Sequence, residues 1–312
     1  MFTQRKVAII GDGMVGSSIA YTLVTKSNVN SIIIIDINKD KTEGDALDMN
    51  HAMSLFAPKE IKSGSYEDIQ DAGIIVITAG AAQKPGETRI DLLHKNEAIL
   101  DSIFDQMKPY LDPRTIVLLV SNPVDVLSHY AYEKLGLPAN QIIGSGTVLD
   151  TARLKYLLSL DTGIDPRNIH AYIVGEHGDS ELAAYSVTYI AGVSISEFCR
   201  NCGKCNKSLN LENIEEEVVN SAYEIIKKKG STYYGIAAAT YRIIDSIVND
   251  TRSVLTVSSH IEYAYNGEIS DVYLSVPSIV GRSGVIRTIW PDYSEQEKSA
   301  LIESANKLKN LY

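Results

Sequence analysis

The sequence predicts an α/β protein in which a doubly wound parallel sheet is followed by a smaller α+β lobe. In the first half, short β-branched apolar runs alternate with longer stretches of helical character, which is the rhythm of βαβ units. A glycine-rich turn directly follows the first of these runs. After about Gly146 the alternation ends, and amphipathic helices and hairpin signals replace it. We therefore expect two domains, residues 1–146 and residues 147–312, with a site between them.

The predicted strands of the first half are near-continuous apolar runs, as expected for parallel strands that are covered on both faces. They span residues 6–10, 31–36, 73–78, 114–120 and 141–143. The helices predicted between them span residues 14–26, 41–55, 91–108 and 123–135. This order of elements favours a parallel sheet with helices on both faces.

The second half has different signals. Helices are predicted over residues 149–158, 211–228 and 236–248. Residues 261–265 and 268–276 read as a hairpin around the turn dipeptide Asn266-Gly267, and a second reversal is predicted at residues 281–284. The last helix opens with a capping box at Ser294 and Glu297.

Composition excludes several classes of protein. The chain has 312 residues and a formal net charge of −10, with the acidic excess spread along the sequence, so a dedicated nucleic-acid surface is not expected. Its longest apolar runs, residues 32–35 and 116–120, are far shorter than the ~20 residues of a membrane span. The N-terminus lacks the ~7–15 apolar residues of a secretory signal. Three cysteines cannot form an even disulfide framework, and we expect a cytoplasmic protein.

The glycine-rich turn has the pattern G-x-G-x-x-G, at Gly11, Gly13 and Gly16. It follows a predicted strand and opens a predicted helix, and Asp36 ends the next strand 20 residues after Gly16. This is the context of a Rossmann dinucleotide site, in which the helix N-terminus receives the phosphates. The Asp36 carboxylate would accept from a ribose 2′-hydroxyl and repel a 2′-phosphate. The first domain is therefore predicted to bind NAD in preference to NADP.

A second pattern indicates acid–base chemistry. His177 lies between Gly175 and Gly178, in a polar turn after an apolar run. A lone histidine is more often structural, but the segment at Asp150 and Arg153 offers a carboxylate to orient an imidazole and a guanidinium to hold an anion. In addition, residues 79–89 follow a predicted parallel strand and combine glycine, proline and charge, which is typical of a mobile lid over a ligand site.

Taken together, these motifs resemble the bacterial L-lactate dehydrogenases of the lactate/malate dehydrogenase superfamily. The resemblance extends over essentially the whole chain. It rests on the glycine motif, on residues 78–89 (TAGAAQKPGETR), on residues 121–125 (SNPVD), on residues 150–153 (DTAR) and on residues 175–179 (GEHGD).

The resemblance implies a role for individual residues. His177 matches the proton donor to the substrate carbonyl, and Asp150 matches the carboxylate that orients it. Arg153 matches the arginine that grips the substrate carboxylate, and Arg89 matches the lid arginine that polarises the carbonyl. Further matches to substrate contacts are Asn122, Thr232 and Gln83, of which Gln83 reads the substrate side chain. Matches to the cofactor groove are Val15, Lys41, Tyr66, Gly80, Ala81, Ser102, Asn122 and Ser145.

The implied reaction is the reversible reduction of pyruvate to L-lactate with NADH, in a homotetramer. Many relatives are activated by fructose 1,6-bisphosphate at a subunit interface. His170 matches the histidine of that site, but Lys155 replaces its arginine and offers a point charge without the guanidinium fork. His170 could equally be a structural residue at the edge of a strand.

Three alternatives stay open on the sequence. A malate dehydrogenase would carry arginine in place of Gln83. An NAD-dependent glycosidase needs a divalent metal, for which no ligand set surrounds His177, and no metal is expected. A catalytically silent NAD-binding protein is the third. Cys199, Cys202 and Cys205 have C-x-x-C spacing, but a closed metal site wants four ligands, so we interpret them as an incidental thiol cluster.

Overall fold

The computed structural model describes residues 3–81, 89–201 and 211–312. The strands of the first half are β1 Thr3–Ile10, β2 Ser31–Ile35, β3 Glu60–Ser63, β4 Ala72–Ile77, β5 Ile116–Leu119 and β6 Ile142–Gly144. The helices between them are α1 Met14–Lys26, α2 Lys39–His51, α3 Arg89–Met107 and α4 Val124–Leu135. The predicted doubly wound order is confirmed, and the sequence reading missed only the short edge strand β3 among these elements.

The second half is helical, with short strands between the helices. Its helices are α5 Val148–Thr162, α6 Ile195–Asn201, α7 Leu211–Lys229, α8 Tyr234–Asn249 and α9 Glu295–Lys309. Its shortest strands are β7 Ile169–His170, β8 Ile173–Val174, β9 Leu182–Ala183, β10 Tyr189–Ile190 and β11 Val193–Ser194. The remaining strands are β12 Ser253–Leu255, β13 Ser258–Ala264, β14 Ile269–Ser275, β15 Ser278–Gly281 and β16 Gly284–Thr288.

The main sheet has eight strands in the order β14-β13-β6-β5-β4-β1-β2-β3. Strands β1 to β6 pair in parallel, and every residue of β2, β4 and β5 is buried, which explains their continuous apolar sequences. The predicted hairpin of the second half does not form a sheet of its own. It adds β13 to the edge of β6, where Ser258 pairs with Gly144, and so contributes two antiparallel strands to the parallel sheet.

The turns follow the sequence with one exception. Ala264 pairs with Ile269, so the hairpin loop has four residues rather than the two-residue Asn-Gly turn that was predicted. Gly281 pairs with Gly284, which confirms the second reversal. The capping box of α9 is also confirmed, because the Ser294 side chain accepts from the backbone N–H of Glu297 and the Glu297 side chain accepts from that of Ser294.

Two large apolar clusters lie on the two faces of the main sheet, and a third lies under α5 and α7 in the second half. Among the described residues, the structure has no helix both long enough and apolar enough to span a membrane. The carboxyl ends of β1, β4 and β5 meet the second half of the chain at one edge of the sheet, and this edge contains the site described next.

Candidate active site

A cavity of about 520 Å³ opens at the carboxyl ends of the central strands. Residues from both halves of the chain line it. The predicted site residues among them are Val15, Gly80, Ala81, Asn122, Asp150, Arg153 and His177. The inner part of the predicted cofactor groove and the predicted acid–base residues therefore share one cavity.

The glycine-rich turn has the shape that a dinucleotide site needs. Gly11 has φ +104°, and a Cβ there would lie 2.5 Å from the backbone nitrogen of Ala79. At Gly16 a Cβ would lie 1.9 Å from the carbonyl oxygen of Gly11, so both positions require glycine. A Cβ at Gly13 would meet open space, and no side chain caps the first turn of α1. The free N–H groups of that turn and the space beside Gly13 fit a pyrophosphate.

Asp36 follows β2, and backbone groups hold its carboxylate. Its Oδ2 accepts from the backbone N–H of Asp12 at 2.6 Å, and its Oδ1 accepts from that of Asn38 at 2.9 Å. Burial and the charge of Asp36 both raise the pKa of Tyr66, which places these two residues near each other. The carboxylate is thus fixed in orientation and keeps the lone pairs that a ribose hydroxyl needs.

Lys41 lies between two carboxylates beside the glycine turn. Its Nζ is 2.6 Å from Asp45 Oδ2 and 3.1 Å from Asp12 Oδ2. The side chain of Asp12 is fully buried, and burial raises the pKa of its carboxyl to about 6 although Lys41 lowers it. Asp12 is a residue to which the sequence reading gave no role.

His177 and Asp150 form a hydrogen-bonded pair. His177 Nδ1 lies 2.7 Å from Asp150 Oδ2, and Asp150 is 1% exposed in the first turn of α5. Burial alone would lower the pKa of His177, but the charge and hydrogen bond of Asp150 raise that pKa well above 6.5. Burial would likewise raise the pKa of Asp150, yet His177 and Arg153 hold it below the usual value. The pair is therefore an ionised carboxylate beside a proton-holding imidazole.

Arg153 lies one turn of α5 after Asp150, and its Nη1 donates to Asp150 Oδ1. Its side chain is 13% exposed and lines the cavity. A guanidinium of this kind can grip a carboxylate through two parallel hydrogen bonds. The cavity thus holds a guanidinium close to the imidazole of His177.

Glu181 is a cavity residue that the sequence reading missed. Its side chain is 4% exposed, and its Oε2 lies 3.8 Å from His177 Nδ1. Burial raises the pKa of this carboxyl to about 7, and the charge of Asp150 adds to that effect, whereas His177 and Arg153 lower it. The sequence offered one signal for this residue, namely a carboxylate four positions after His177. Burial, which the sequence does not display, is the largest cause of this raised pKa.

Two further residues to which the sequence analysis gave no role support the loops of the cavity. Asn96 is 1% exposed; its Oδ1 accepts from the N–H of Ala81 at 2.7 Å, and its Nδ2 donates to the carbonyl of Asn122 at 2.7 Å. Asn96 thereby links the two loops that follow β4 and β5. Asp125, which is 2% exposed, accepts from the backbone N–H of His177 at 2.7 Å.

The other predicted site residues either do not line this cavity or are not among the residues that the structure describes. Described cofactor and substrate residues that do not line the cavity are Gly11, Gly13, Gly16, Asp36, Lys41, Tyr66, Ser102, Ser145 and Thr232. Of these, Asp36, Lys41 and Tyr66 lie around the end of β2, farther along the groove. Gln83 and the side chain of Arg89 lie outside the described residues, as does most of the predicted lid.

The proposed anion site and the cysteines lie away from the cavity. Lys155 is on α5, and burial lowers the pKa of its ammonium group. His170 is exposed on β7, a strand against which α5 packs. Cys199 is partly buried on α6, and Cys202 and Cys205 lie outside the described residues. The C-x-x-C interpretation therefore stays a prediction.

Comparison with known proteins agrees with this geometry. Residues 5–144 match the family model described as lactate/malate dehydrogenase, NAD binding domain. Residues 147–311 match the model described as lactate/malate dehydrogenase, alpha/beta C-terminal domain. The NAD cofactor predicted from the glycine turn is confirmed by the first of these matches.

Similar sequences and structures carry related names. The chain is 49% identical over 309 residues to an L-lactate dehydrogenase of Thermoanaerobacterium saccharolyticum, covering 99% of this chain and 98% of that one. It is 48% identical over 310 residues to L-lactate dehydrogenase 1 of Clostridium acetobutylicum, with the same coverage.

Solved structures extend the likeness to the fold. A lactate dehydrogenase from a Medee basin deep-sea metagenome library has a TM-score of 0.93 and 40% identity, over 100% of this chain and 98% of that one. The minor L-lactate dehydrogenase of Enterococcus mundtii has the same TM-score and identity over 98% and 97% of the two chains. With both domain models matched and near-complete coverage by relatives at almost half identity, the chain belongs to the lactate/malate dehydrogenase family.

Proposed function

We propose that this protein is an NAD-dependent L-lactate dehydrogenase, which interconverts pyruvate, NADH and a proton with L-lactate and NAD⁺. The observation that carries the proposal is the Asp150–His177 pair, which shares one cavity with Arg153 at the carboxyl ends of the strands of the NAD-binding sheet. Relatives that are nearly half identical over their full lengths are named L-lactate dehydrogenases, which supports this substrate pair.

The chain's own residues divide the work. The free N–H groups at the start of α1 would hold the cofactor phosphates, and Asp36 would hold the adenine-side ribose. When bound, NADH supplies the hydride that reduces the substrate carbonyl. Arg153 would bind the carboxylate of the 2-keto acid and so fix which face of the carbonyl is presented.

His177 manages the proton. In pyruvate reduction its imidazolium donates to the carbonyl oxygen, and in lactate oxidation the neutral ring accepts the proton back. Asp150 stabilises the imidazolium, which is the form that reduction consumes. Arg89 is proposed to stabilise negative charge on the carbonyl oxygen, and Asn122 and Thr232 to complete the substrate contacts. Gln83 is proposed to face the substrate methyl group.

Three finer proposals complete the assignment. We propose a homotetramer, which large apolar side chains exposed at and after α2, such as Leu47 and Leu55, support because they favour a subunit contact. We propose that fructose 1,6-bisphosphate binds near Lys155 and His170 at a subunit interface. We also propose that the protein works in the cytoplasm, where its cofactor pool is maintained.

The test measures NADH oxidation with pyruvate and with oxaloacetate, for the wild type and for His177→Ala. We expect pyruvate to be the better substrate, and the variant to lose about two to four decades of turnover while binding NADH normally. Better turnover of oxaloacetate would favour a malate dehydrogenase. No turnover of either substrate would favour a silent NAD-binding protein, and equal loss of NADH affinity would contradict the role of His177.

A further inference from the structure

The loop that carries His177 is tied to the rest of the fold through consecutive backbone groups. The N–H of Gly175 donates to the carbonyl of Ser275 on β14 at 2.9 Å, and the N–H of Ser275 donates back at 3.1 Å. The N–H of Glu176 donates to the hydroxyl of Ser304 on α9 at 2.8 Å. Both of these acceptors are uncharged, so they hold the loop in the same way at any pH.

The third backbone hydrogen bond of the loop, which we call the Asp125 tie, differs from the others because its acceptor can ionise. The N–H of His177 donates to Oδ2 of Asp125 at 2.7 Å. Asp125 lies in the first turn of α4, where the helix N-terminus favours a negative charge. A hydrogen bond to an ionised acceptor is roughly twice as strong as one between neutral groups. The charge on Asp125 therefore determines how firmly the backbone of His177 is held.

Groups from several elements face this carboxyl. The hydroxyl of Ser258 on β13, the amide of His177 and the His177 imidazolium all favour its charged form. Glu176 in the same loop disfavours that form, and the phenol of Tyr312 at the C-terminus also lies within its field. Burial outweighs the favourable contacts and raises the pKa of Asp125 to about 6. The tie thus loses its charge just below neutral pH.

We propose that Asp125 is a positioning residue for the catalytic histidine, and that turnover in the acid range follows the charge of Asp125 rather than that of His177. The proposal rests on the proposed function, because it takes His177 as the proton donor. Reduction of pyruvate uses protonated His177, and acid keeps that residue protonated. A fall of turnover below neutral pH therefore cannot come from the imidazole. Glu181, which lies 3.8 Å from His177 and whose pKa is about 7, also changes charge in this range. The Asp125 variants below therefore decide whether the fall comes from Asp125.

Two substitutions separate the charge from the hydrogen bond. Asp125→Asn keeps a carbonyl oxygen that accepts from the His177 amide but removes the charge, whereas Asp125→Ala removes the acceptor. We measure the turnover number for pyruvate reduction from pH 5 to pH 8 at saturating NADH and pyruvate. The wild type is expected to fall with an apparent pKa near 6. The turnover number of Asp125→Asn should not change with pH over this range. It should lie about three- to thirtyfold below the wild-type turnover number at pH 7.5. Asp125→Ala should be lower still, and both should bind NADH within about twofold of the wild type.

Ser304→Ala is the matched control, because it removes the neighbouring tie without changing a charge. It should lower turnover by a similar factor at every pH and keep the acid limb. The proposal is overturned if the turnover number of Asp125→Asn falls in acid as that of the wild type does. It is also overturned if the turnover number of the wild type does not fall in acid. If Asp125→Ala fails to fold, Asp125→Asn decides the matter alone.

A readout that does not depend on turnover separates this proposal from the assigned reaction. Hydrogen exchange of the His177 amide reports directly on the tie. After correction for intrinsic rates, its protection in the wild type should decrease by at least about tenfold between pH 7 and pH 5, and Asp125→Asn should show low protection at both. Unchanged protection refutes the role of Asp125, whatever substrate the enzyme uses. Loss of protection without pyruvate turnover refutes the substrate assignment alone.

Discussion

Replacing Glu181 with glutamine should move the alkaline limb of pyruvate reduction to lower pH. The Glu181 carboxylate lies 3.8 Å from Nδ1 of His177 in a buried position, and its negative charge helps to raise the pKa of the imidazolium. Glutamine keeps the shape and removes the charge. His177 then gives up its proton at lower pH, so the form that reduction needs is lost earlier.

The size of this shift follows from the distance. Two unit charges 3.8 Å apart interact by about 1 kcal/mol in a water-like medium and about 4 kcal/mol at an effective dielectric constant near 20. Since one pKa unit corresponds to about 1.4 kcal/mol, the interaction is worth roughly 0.8 to 3 units. Burial raises the pKa of Glu181 to about 7, so the carboxyl carries its charge above that pH, where the limb lies. We expect a downward shift of about one unit or more.

The assay is the pH profile of kcat/KM for pyruvate between pH 6 and pH 10 at saturating NADH. Lactate oxidation uses neutral His177, so its acid limb should move down by the same amount. Glu197→Gln, which removes an exposed carboxylate on α6, is the control and should leave both limbs in place. A Glu181→Gln limb within about 0.3 units of the wild type, or one displaced upward, would refute the electrostatic reasoning.

The remaining predictions concern cofactor, effector and substrate selection. NADH should be preferred over NADPH by at least about tenfold in kcat/KM, and Asp36→Ser should narrow that gap because the group that repels a 2′-phosphate is gone; equal efficiencies in the wild type would contradict the assignment of Asp36. Lys155→Arg should strengthen the effect of fructose 1,6-bisphosphate on pyruvate half-saturation by adding a fork contact, and calorimetry that detects no sugar phosphate on either protein would end the idea of an allosteric site. Gln83→Arg should raise the ratio of kcat/KM for oxaloacetate to kcat/KM for pyruvate by at least about a thousandfold. The arginine would pair with the second carboxylate of oxaloacetate but would stay unpaired with pyruvate, and an unpaired buried charge typically costs about 2 to 5 kcal/mol. A change of less than tenfold in steady-state kinetics would show that Gln83 does not contact the substrate side chain.

The first half of the fold was accessible from the sequence because its strands are buried on both faces. Runs such as 32–35 and 74–77 are continuously apolar and buried. A central strand of a parallel sheet, which helices cover on both faces, is the element in which such short runs are expected. The edge strand β3 lacks this signal, since only Ile61 among its four residues is buried. Its place in the sheet depends on pairing with β2, and a sequence pattern does not record partners.

Long-range pairing also limits what the hairpin signal can predict. The hairpin signal at residues 261–276 correctly predicted two antiparallel strands, but nothing local indicates that Ser258 pairs with Gly144, more than a hundred residues earlier. The loop is longer than predicted because Tyr265, Asn266 and Gly267 all adopt positive φ between the last strand pairs.

The site divides in the same way. His177, Asp150 and Arg153 were identified by residue type and motif, and the structure brings these three residues together. Glu181 and Asp125 are ordinary acids in the sequence, and burial is the largest cause that raises their pKa values toward neutral. Their contribution depends on the dielectric environment, which the assembled fold creates.

The hairpin on the edge of β6 has a consequence for how the chain is made. A ribosome delivers β1 to β6 long before it delivers β13 and β14, so the nascent sheet carries an unpaired edge at β6 while more than a hundred further residues are synthesised. Free strand edges recruit other strands, including those of neighbouring polypeptides. The late arrival of residues 258–275 closes this edge. Synthesis of the second half is therefore also the step that protects β6 from pairing with another polypeptide.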